Sequence, residues 1–91
     1  MSALDINFTQ LTANGSTNTT NIPVDGEYSS FAFGTFGGGT LTIEASPDGV
    51  NWFSVVSFTA NGRSSNYLSA NEIIRATLTG ATAPAVDSGA R

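Results

Sequence analysis

Side chains that could catalyse a reaction are sparse in this chain. A nucleophilic triad needs a general base beside a serine or cysteine, and the 91 residues contain no histidine, cysteine or lysine. Paired carboxylates could hydrolyse a glycosidic bond. The acids closest together in the sequence are Asp25 and Glu27, which flank Gly26. Acids beside a turn glycine are typical of turn chemistry. We therefore expect no enzymatic activity.

Metal and cofactor sites are equally hard to build from these residues. Calcium needs several oxygen ligands from one loop, but segment 46–51 offers only Asp48 and Asn51, within the Ser-Pro-Asp-Gly order of a turn. The glycines at 37–39 lack the lysine and the helix that follow a phosphate-binding loop. They are typical of a flexible hairpin turn or a close backbone approach. No metal or other cofactor is expected.

Aromatic side chains could instead form a platform on which a sugar stacks. The candidates are Trp52, Phe53, Phe36 and Tyr28. Aromatic residues at alternating strand positions are more often core residues, and Trp52 follows the turn on the apolar face, which predicts that it is buried. Phe53 lies on the opposite face and is the better candidate for contact with a partner.

The elements that must position these residues are β-strands. Leu41, Ile43 and Ala45 alternate with polar residues, which predicts a half-buried strand, and a second strand over 51–59 completes a hairpin. Phe31 and Phe33 share one face of a third strand. The remaining boundaries are strands at 4–11, 22–24, 28–36, 67–68 and 72–79, with polar loops at 13–21 and 60–66.

These strands, with no helical stripe between them, predict an all-β fold. We expect a small antiparallel β-sandwich or flattened barrel with extended termini. The chain length allows one domain, which we place at 1–80. The Ala/Pro/Ser/Gly-rich segment 81–91 is predicted to be an extended or disordered C-terminal tail.

Composition limits the partners. Charged residues make up 11% of the chain and the formal net charge is −4, with Arg63, Arg75 and Arg91 as the cations. Nucleic acid needs a basic stripe, and anionic membranes repel net negative charge, so neither is expected as a partner. No apolar stretch approaches the roughly 20 residues of a membrane span, and the N-terminus lacks the pattern of a signal peptide. Synthesis in the cytoplasm is expected.

The hairpin also resembles a known family. Segment 39–53, which reads G-T-L-T-I-E-A-S-P-D-G-V-N-W-F, and segment 74–80, which reads I-R-A-T-L-T-G, are similar to a recurring module of tailed-bacteriophage virion proteins. In that module a strand leads into Ser-Pro-Asp-Gly and a tryptophan, and a final strand carries an arginine. The resemblance covers about half of the chain. It implies a small β-sandwich of the kind found in capsid cement (decoration) proteins and in tail or fibre components.

One departure concerns the C-terminus. Similar modules add a closing strand of alternating apolar residues, where this chain has segment 81–91. The tail, or the N-terminal strand from Leu4, is therefore expected to reach a neighbouring molecule.

The resemblance implies a structural virion protein without chemistry. We expect a capsid cement protein at the virion surface, made in the host cytoplasm, that binds the outer surface of the major capsid protein shell and stabilises it. The predicted strand 51–59 has apolar residues on both faces, which predicts that the protein associates with copies of itself as a dimer or trimer. No small-molecule ligand is expected. The expected partner contacts are both termini together with four residues, namely Phe53, Val55, Tyr67 and Arg75.

An alternative hypothesis is that the protein is a tail or fibre module that binds a host-surface glycan. Its distinguishing feature would be exposed aromatic side chains beside the polar segments 13–21 and 60–66. Full burial of Trp52, Phe53 and Tyr67 would remove its support.

Overall fold

The fold of residues 6–91, which are the residues that the computed structural model describes, is all β. Two antiparallel sheets form a small β-sandwich, and the predicted fold class is confirmed. Within this range no helix is long and apolar enough to cross a membrane. The strands are β1 (Ile6–Asn7), β2 (Gly15–Ser16), β3 (Thr20–Asn21), β4 (Gly26–Thr35), β5 (Thr40–Ser46), β6 (Phe53–Phe58), β7 (Gly62–Leu68), β8 (Ile73–Thr79) and β9 (Ala85–Ala90).

The order of the strands places two consecutive strands at the same side of the sandwich. The first sheet has the order β1-β9-β4-β7. In the second sheet the order is β8-β5-β6, and β2 and β3 follow one another along the free side of β8. Within the described part of the chain β6 and β7 are therefore edge strands, and segment 59–61 carries the chain from one sheet to the other.

Period-2 alternation builds the core between the sheets. In β5 and β8 every second residue is apolar and points inward, while the threonines, Glu44 and Arg75 point outward. The same alternation in β4 places Tyr28 and Ala32 inside. The core residues are Ile6, Phe8, Ile22, Tyr28, Ala32, Phe36, Leu41, Ile43, Phe58, Leu68, Ile74, Ala76, Leu78, Val86 and Ala90.

The C-terminal segment lies inside the domain, which corrects the predicted boundary at residue 80. Strand β9 is inserted between β1 and β4 and pairs with both of them. Val86 and Ala90 are fully buried, so this segment supplies the closing strand that the sequence pattern did not reveal. Close packing requires the glycine at position 89, because a Cβ there would collide with the Ile6 carbonyl oxygen and the Phe31 ring.

Two segments predicted to be polar loops contain strands. Segment 60–66 belongs largely to β7, which pairs with β4 over seven residues from Gly26 to Ala32. Segment 13–21 contains β2 and β3. Both predictions were wrong for the same reason. Backbone hydrogen bonds to a neighbouring strand hold these edge strands. Because such bonds do not depend on the side chains, the sequence of an edge strand need not alternate between apolar and polar residues.

Two other local predictions also change. Segment 22–24 is not a strand; instead Ile22 is buried and its N–H donates to the Glu72 carbonyl oxygen over 2.8 Å. The glycine turn at 37–39 connects β4 of the first sheet to β5 of the second, so it is not a hairpin turn. Gly37 has φ +59° and a Cβ there would collide with the Thr82 backbone, which explains the glycine. The first predicted strand starts at Leu4, which lies outside the described residues.

Candidate functional site

Phe53 and Val55, two of the predicted partner contacts, lie on the edge strand β6. The Phe53 side chain is 61% exposed. Val55 instead packs partly against the core. The strand has a β-bulge here: Ile43 pairs with Val56 and Glu44 pairs with Ser54, so Val55 has no residue opposite it. Of this predicted contact face, Phe53 is therefore the side chain that faces solvent.

Tyr67, the third predicted contact, lies on the edge strand β7. Its side chain is 67% exposed and stands opposite Glu27 on the solvent face of the first sheet. Because β7 runs back beside β6 after segment 59–61, Phe53 and Tyr67 both lie at the end remote from that connection. We call the strands 53–58 and 62–68 the β6–β7 edge. This edge carries exposed aromatic rings. The outer sides of β6 and β7 pair with no further strand among the described residues.

Arg75, the fourth predicted contact, is engaged within the chain. Its Nε donates to Glu44 Oε1 over 2.9 Å, and the two side chains are 27% and 20% exposed. Its Cζ also lies 3.9 Å from the centroid of the Trp52 ring, a cation–π contact. Thr77 Oγ1 donates to the same Glu44 oxygen over 3.0 Å. These residues form a cluster on the solvent face of the second sheet, hereafter the Trp52–Arg75 cluster.

The prediction that Trp52 is buried in the core was wrong. Trp52 is half-buried and lies beneath Arg75, on the side of the sheet away from the core. Tyr28 and Phe36 are buried, and the Tyr28 hydroxyl donates to the Val24 carbonyl oxygen over 2.8 Å. The four aromatic residues considered as a platform are therefore separated, and only Phe53 among them is exposed.

Side chains close the Ser-Pro-Asp-Gly turn through hydrogen bonds to its backbone. Ser46 Oγ accepts the Gly49 N–H over 2.8 Å, and Asp48 Oδ1 accepts the N–H groups of Val50 and Asn51, both over 2.8 Å. These bonds, first that from the Asn51 backbone and then that from Val50, hold the pKa of Asp48 well below its ordinary value. Across residues 6–91 no group of three or more acidic, histidine or cysteine side chains could hold a metal ion.

A groove of about 430 Å³ lies on the solvent face of the first sheet, where β7 begins beside β4. Phe31 and Phe33 form its aromatic wall, with ring centroids 6.0 Å apart and ring planes within 18°. Phe33 is 48% exposed. Beyond the last β4–β7 pair, the Gly34 N–H donates to Asn61 Oδ1 over 2.9 Å, so this side chain closes the end of the ladder.

Two arginines flank this aromatic wall. Arg63 stands directly opposite Phe31 on β7. The Cζ of Arg91 lies 5.1 Å from the Phe31 ring centroid, and its Nη2 donates to Asn7 Oδ1 over 3.0 Å. A chain with a net charge of −4 and three arginines thus places two of them beside one ring. We call this site, lined by Phe31, Ala32, Phe33, Asn61, Gly62, Arg63 and Arg91, the Phe31–Arg63 groove.

Sequence reasoning missed this groove. The Phe-Ala-Phe alternation indicated that Phe31 and Phe33 share a strand face, which was the available signal. The arginines could not be added to it, because Arg63 was assigned to a loop and Arg91 to a tail. Only the pairing of β4 with β7 and β9 brings them together.

The chain was compared with known proteins by sequence and by structure. No family model, no curated protein and no solved structure gives a significant match.

Proposed function

We propose that this protein is a structural virion protein that binds the outer surface of the shell formed by a major capsid protein and stabilises that shell. The resemblance of the Ser-Pro-Asp-Gly hairpin and of the strand around Arg75 to a phage virion module supports this proposal. The small β-sandwich agrees with the architecture that the resemblance implies.

The observation that carries the proposal is the exposure of Phe53 and Tyr67 on the β6–β7 edge. Large exposed aromatic side chains are enriched at protein interfaces, and an unpaired strand edge can add a strand from another chain. Both features occur together on one side of this sandwich. The edge therefore offers a surface for the shell or for a second copy of this protein.

Many weak contacts would be enough for this function. A shell presents the same surface many times, so each copy needs only a modest interface, and linked copies gain by multivalency. A protein that binds the assembled shell but not its free subunits stabilises the shell by mass action. Association as a dimer or trimer through the same edge is part of the proposal.

The experiment measures the temperature at which the capsids that the protein is proposed to bind rupture, with and without the protein. We expect the protein to raise the rupture temperature, and Phe53→Ala and Tyr67→Ala to reduce that gain. Val50→Ala is the matched control, because Val50 is also exposed but lies in the turn outside the β6–β7 edge. Equal rupture temperatures with and without the wild-type protein would refute the proposal.

A second candidate function is a tail or fibre module that binds a host-surface glycan. The exposure of Phe53 and Tyr67 favours it, since their burial would have removed its support. A glycan array probed with the intact protein tests this candidate. Hits combined with no effect on capsid rupture would favour it over the cement role.

A further inference from the structure

We infer that the Phe31–Arg63 groove binds an acidic sugar, with the carboxylate of a uronic acid held by Arg63 and the sugar ring lying against Phe33. This inference goes beyond the cement role and departs from the sequence-based expectation that no small ligand binds. For the tail or fibre alternative, it names the site and the class of sugar.

The aromatic wall provides the surface on which a sugar ring can lie. Phe31 and Phe33 are two residues apart on β4, and their rings are stacked with near-parallel planes on the solvent face. A phenyl ring that remains half exposed on a sheet is available to the apolar C–H face of a pyranose. The volume of about 430 Å³ falls within the roughly 300–1,000 Å³ range of small-ligand sites.

The charge beside this wall calls for an anion. The Arg63 side chain forms no hydrogen bond or ion pair within residues 6–91, whereas the Arg75 side chain is paired with Glu44. A guanidinium presents a planar fork of N–H donors that matches a carboxylate. Arg91, positioned by Asn7 over the far side of Phe31, adds a second positive charge to the same face.

The other polar groups favour a sugar over an acidic peptide. Asp87 stands opposite Phe33 on β9 and faces the same side of the sheet. Its carboxylate would repel successive acidic side chains of a peptide, but it can accept hydrogen bonds from sugar hydroxyls. Asn61 also lines the groove. Its side-chain oxygen accepts the Gly34 N–H, which leaves its NH₂ group to donate to a ligand. A site with one anchored charge, donors and an acceptor fits a hydroxylated ring that bears a single carboxylate.

The test titrates the intact protein, labelled with ¹⁵N, with digalacturonic acid and separately with its neutral counterpart, galactobiose. We expect saturable shifts of the amides of Phe31, Gly62 and Arg63 with the acidic sugar. Binding of the neutral sugar should be weaker by about tenfold or more, since a charge-assisted hydrogen bond is lost. A peptide of six glutamates is titrated in parallel.

Variants separate the groove from general charge. Arg63→Gln should weaken digalacturonate binding by about tenfold or more, and Phe33→Ala should also weaken it. Arg75→Gln makes the same charge change on the other sheet and should leave binding unchanged. Chemical-shift dispersion of each variant verifies that it is folded.

Three results would overturn the inference. The first is no shift with digalacturonate at millimolar concentration, and the second is equal binding of the acidic and neutral sugars. The third is tighter binding of the glutamate peptide, which would reassign the groove to a protein partner. None of these results bears on the capsid-rupture experiment, so the two proposals succeed or fail separately.

Discussion

Arg75 lies over the ring of Trp52, with 3.9 Å between its Cζ and the centroid of the indole ring. The same guanidinium is bonded to Glu44, its direct neighbour across the β5–β8 ladder. Glu44, Trp52 and Arg75 all belong to segments 39–53 and 74–80, on which the proposed virion role depends. In this chain those motif residues meet in one half-buried cluster, so they join the turn and two strands of the second sheet.

Removing the guanidinium should weaken the fold. Arg75→Gln loses both the ion pair and the cation–π contact, and we expect the free energy of unfolding to fall by about 1–2 kcal/mol. Arg75→Lys should recover part of this loss, because it retains the charge but not the planar stacking. Urea denaturation followed by Trp52 fluorescence measures the change, since Trp52 is the only tryptophan.

The matched control for that experiment is Arg63→Gln, because Arg63 is exposed and its side chain forms no ion pair within residues 6–91. Its urea midpoint should equal that of the wild type. A wild-type midpoint for Arg75→Gln would show that the cluster contributes nothing to stability.

The turn at 46–51 should make stability depend on pH in the acidic range. Hydrogen bonds from the Asn51 and Val50 N–H groups lower the folded-state pKa of Asp48. Its contribution is therefore complete above the unfolded-state pKa, about 3.9, and is lost as the pH falls through the folded value. Thermal unfolding between neutral pH and pH 2 should show this loss.

Asp48→Asn isolates the contribution of this carboxylate, since an amide cannot titrate. The variant should be less stable than the wild type at neutral pH and should lose less stability on acidification. Parallel pH profiles for the two proteins would contradict the assignment.

Two fully buried serines should respond in opposite directions to the same substitution. The Ser30 hydroxyl has no hydrogen-bond partner among the described residues, so Ser30→Ala should stabilise the protein by about 1 kcal/mol. Ser46 Oγ accepts the backbone N–H groups of Asp48 and Gly49, and Ser46→Ala should cost about 1–2 kcal/mol. Urea denaturation of both variants measures the difference. Destabilisation by both substitutions to a similar extent would contradict this account.

Strand β9 should be indispensable. A chain that ends at Pro84 loses Val86 and Ala90 from the core and leaves β4 and β1 without their shared neighbour. We expect it to show no cooperative thermal unfolding by far-ultraviolet circular dichroism. Removing Arg91 alone should preserve a cooperative transition, because the strand remains. A cooperative transition near the wild-type temperature in the chain that ends at Pro84 would restore the domain boundary at residue 80.

Much of the second sheet could be predicted from the sequence, because the patterns that indicate its strands and its turn each lie within a few consecutive residues. Alternation in β5 and β8 identifies a strand and its buried face within a few residues. The Ser-Pro-Asp-Gly order predicts a turn through the conformational preferences of those residues alone. The alternation did not place the start of β6 correctly: Trp52 lies on the solvent side of the sheet, and Phe53, although exposed as predicted, pairs with the core-facing Ala45. The bulge at Val55 interrupts the period of β6, and nothing in the strand's own sequence marks it.

The sequence by itself thus determined the all-β class, the main strands and the turn between β5 and β6. Tertiary structure decided where β7 and β9 pair, and therefore that Arg63 and Arg91 flank Phe31. The contact of Arg91 with Asn7 joins residues 84 positions apart. Such pairing depends on which backbone edges remain free once the other strands have packed, and this property belongs to the assembled sheet rather than to any local pattern of side chains.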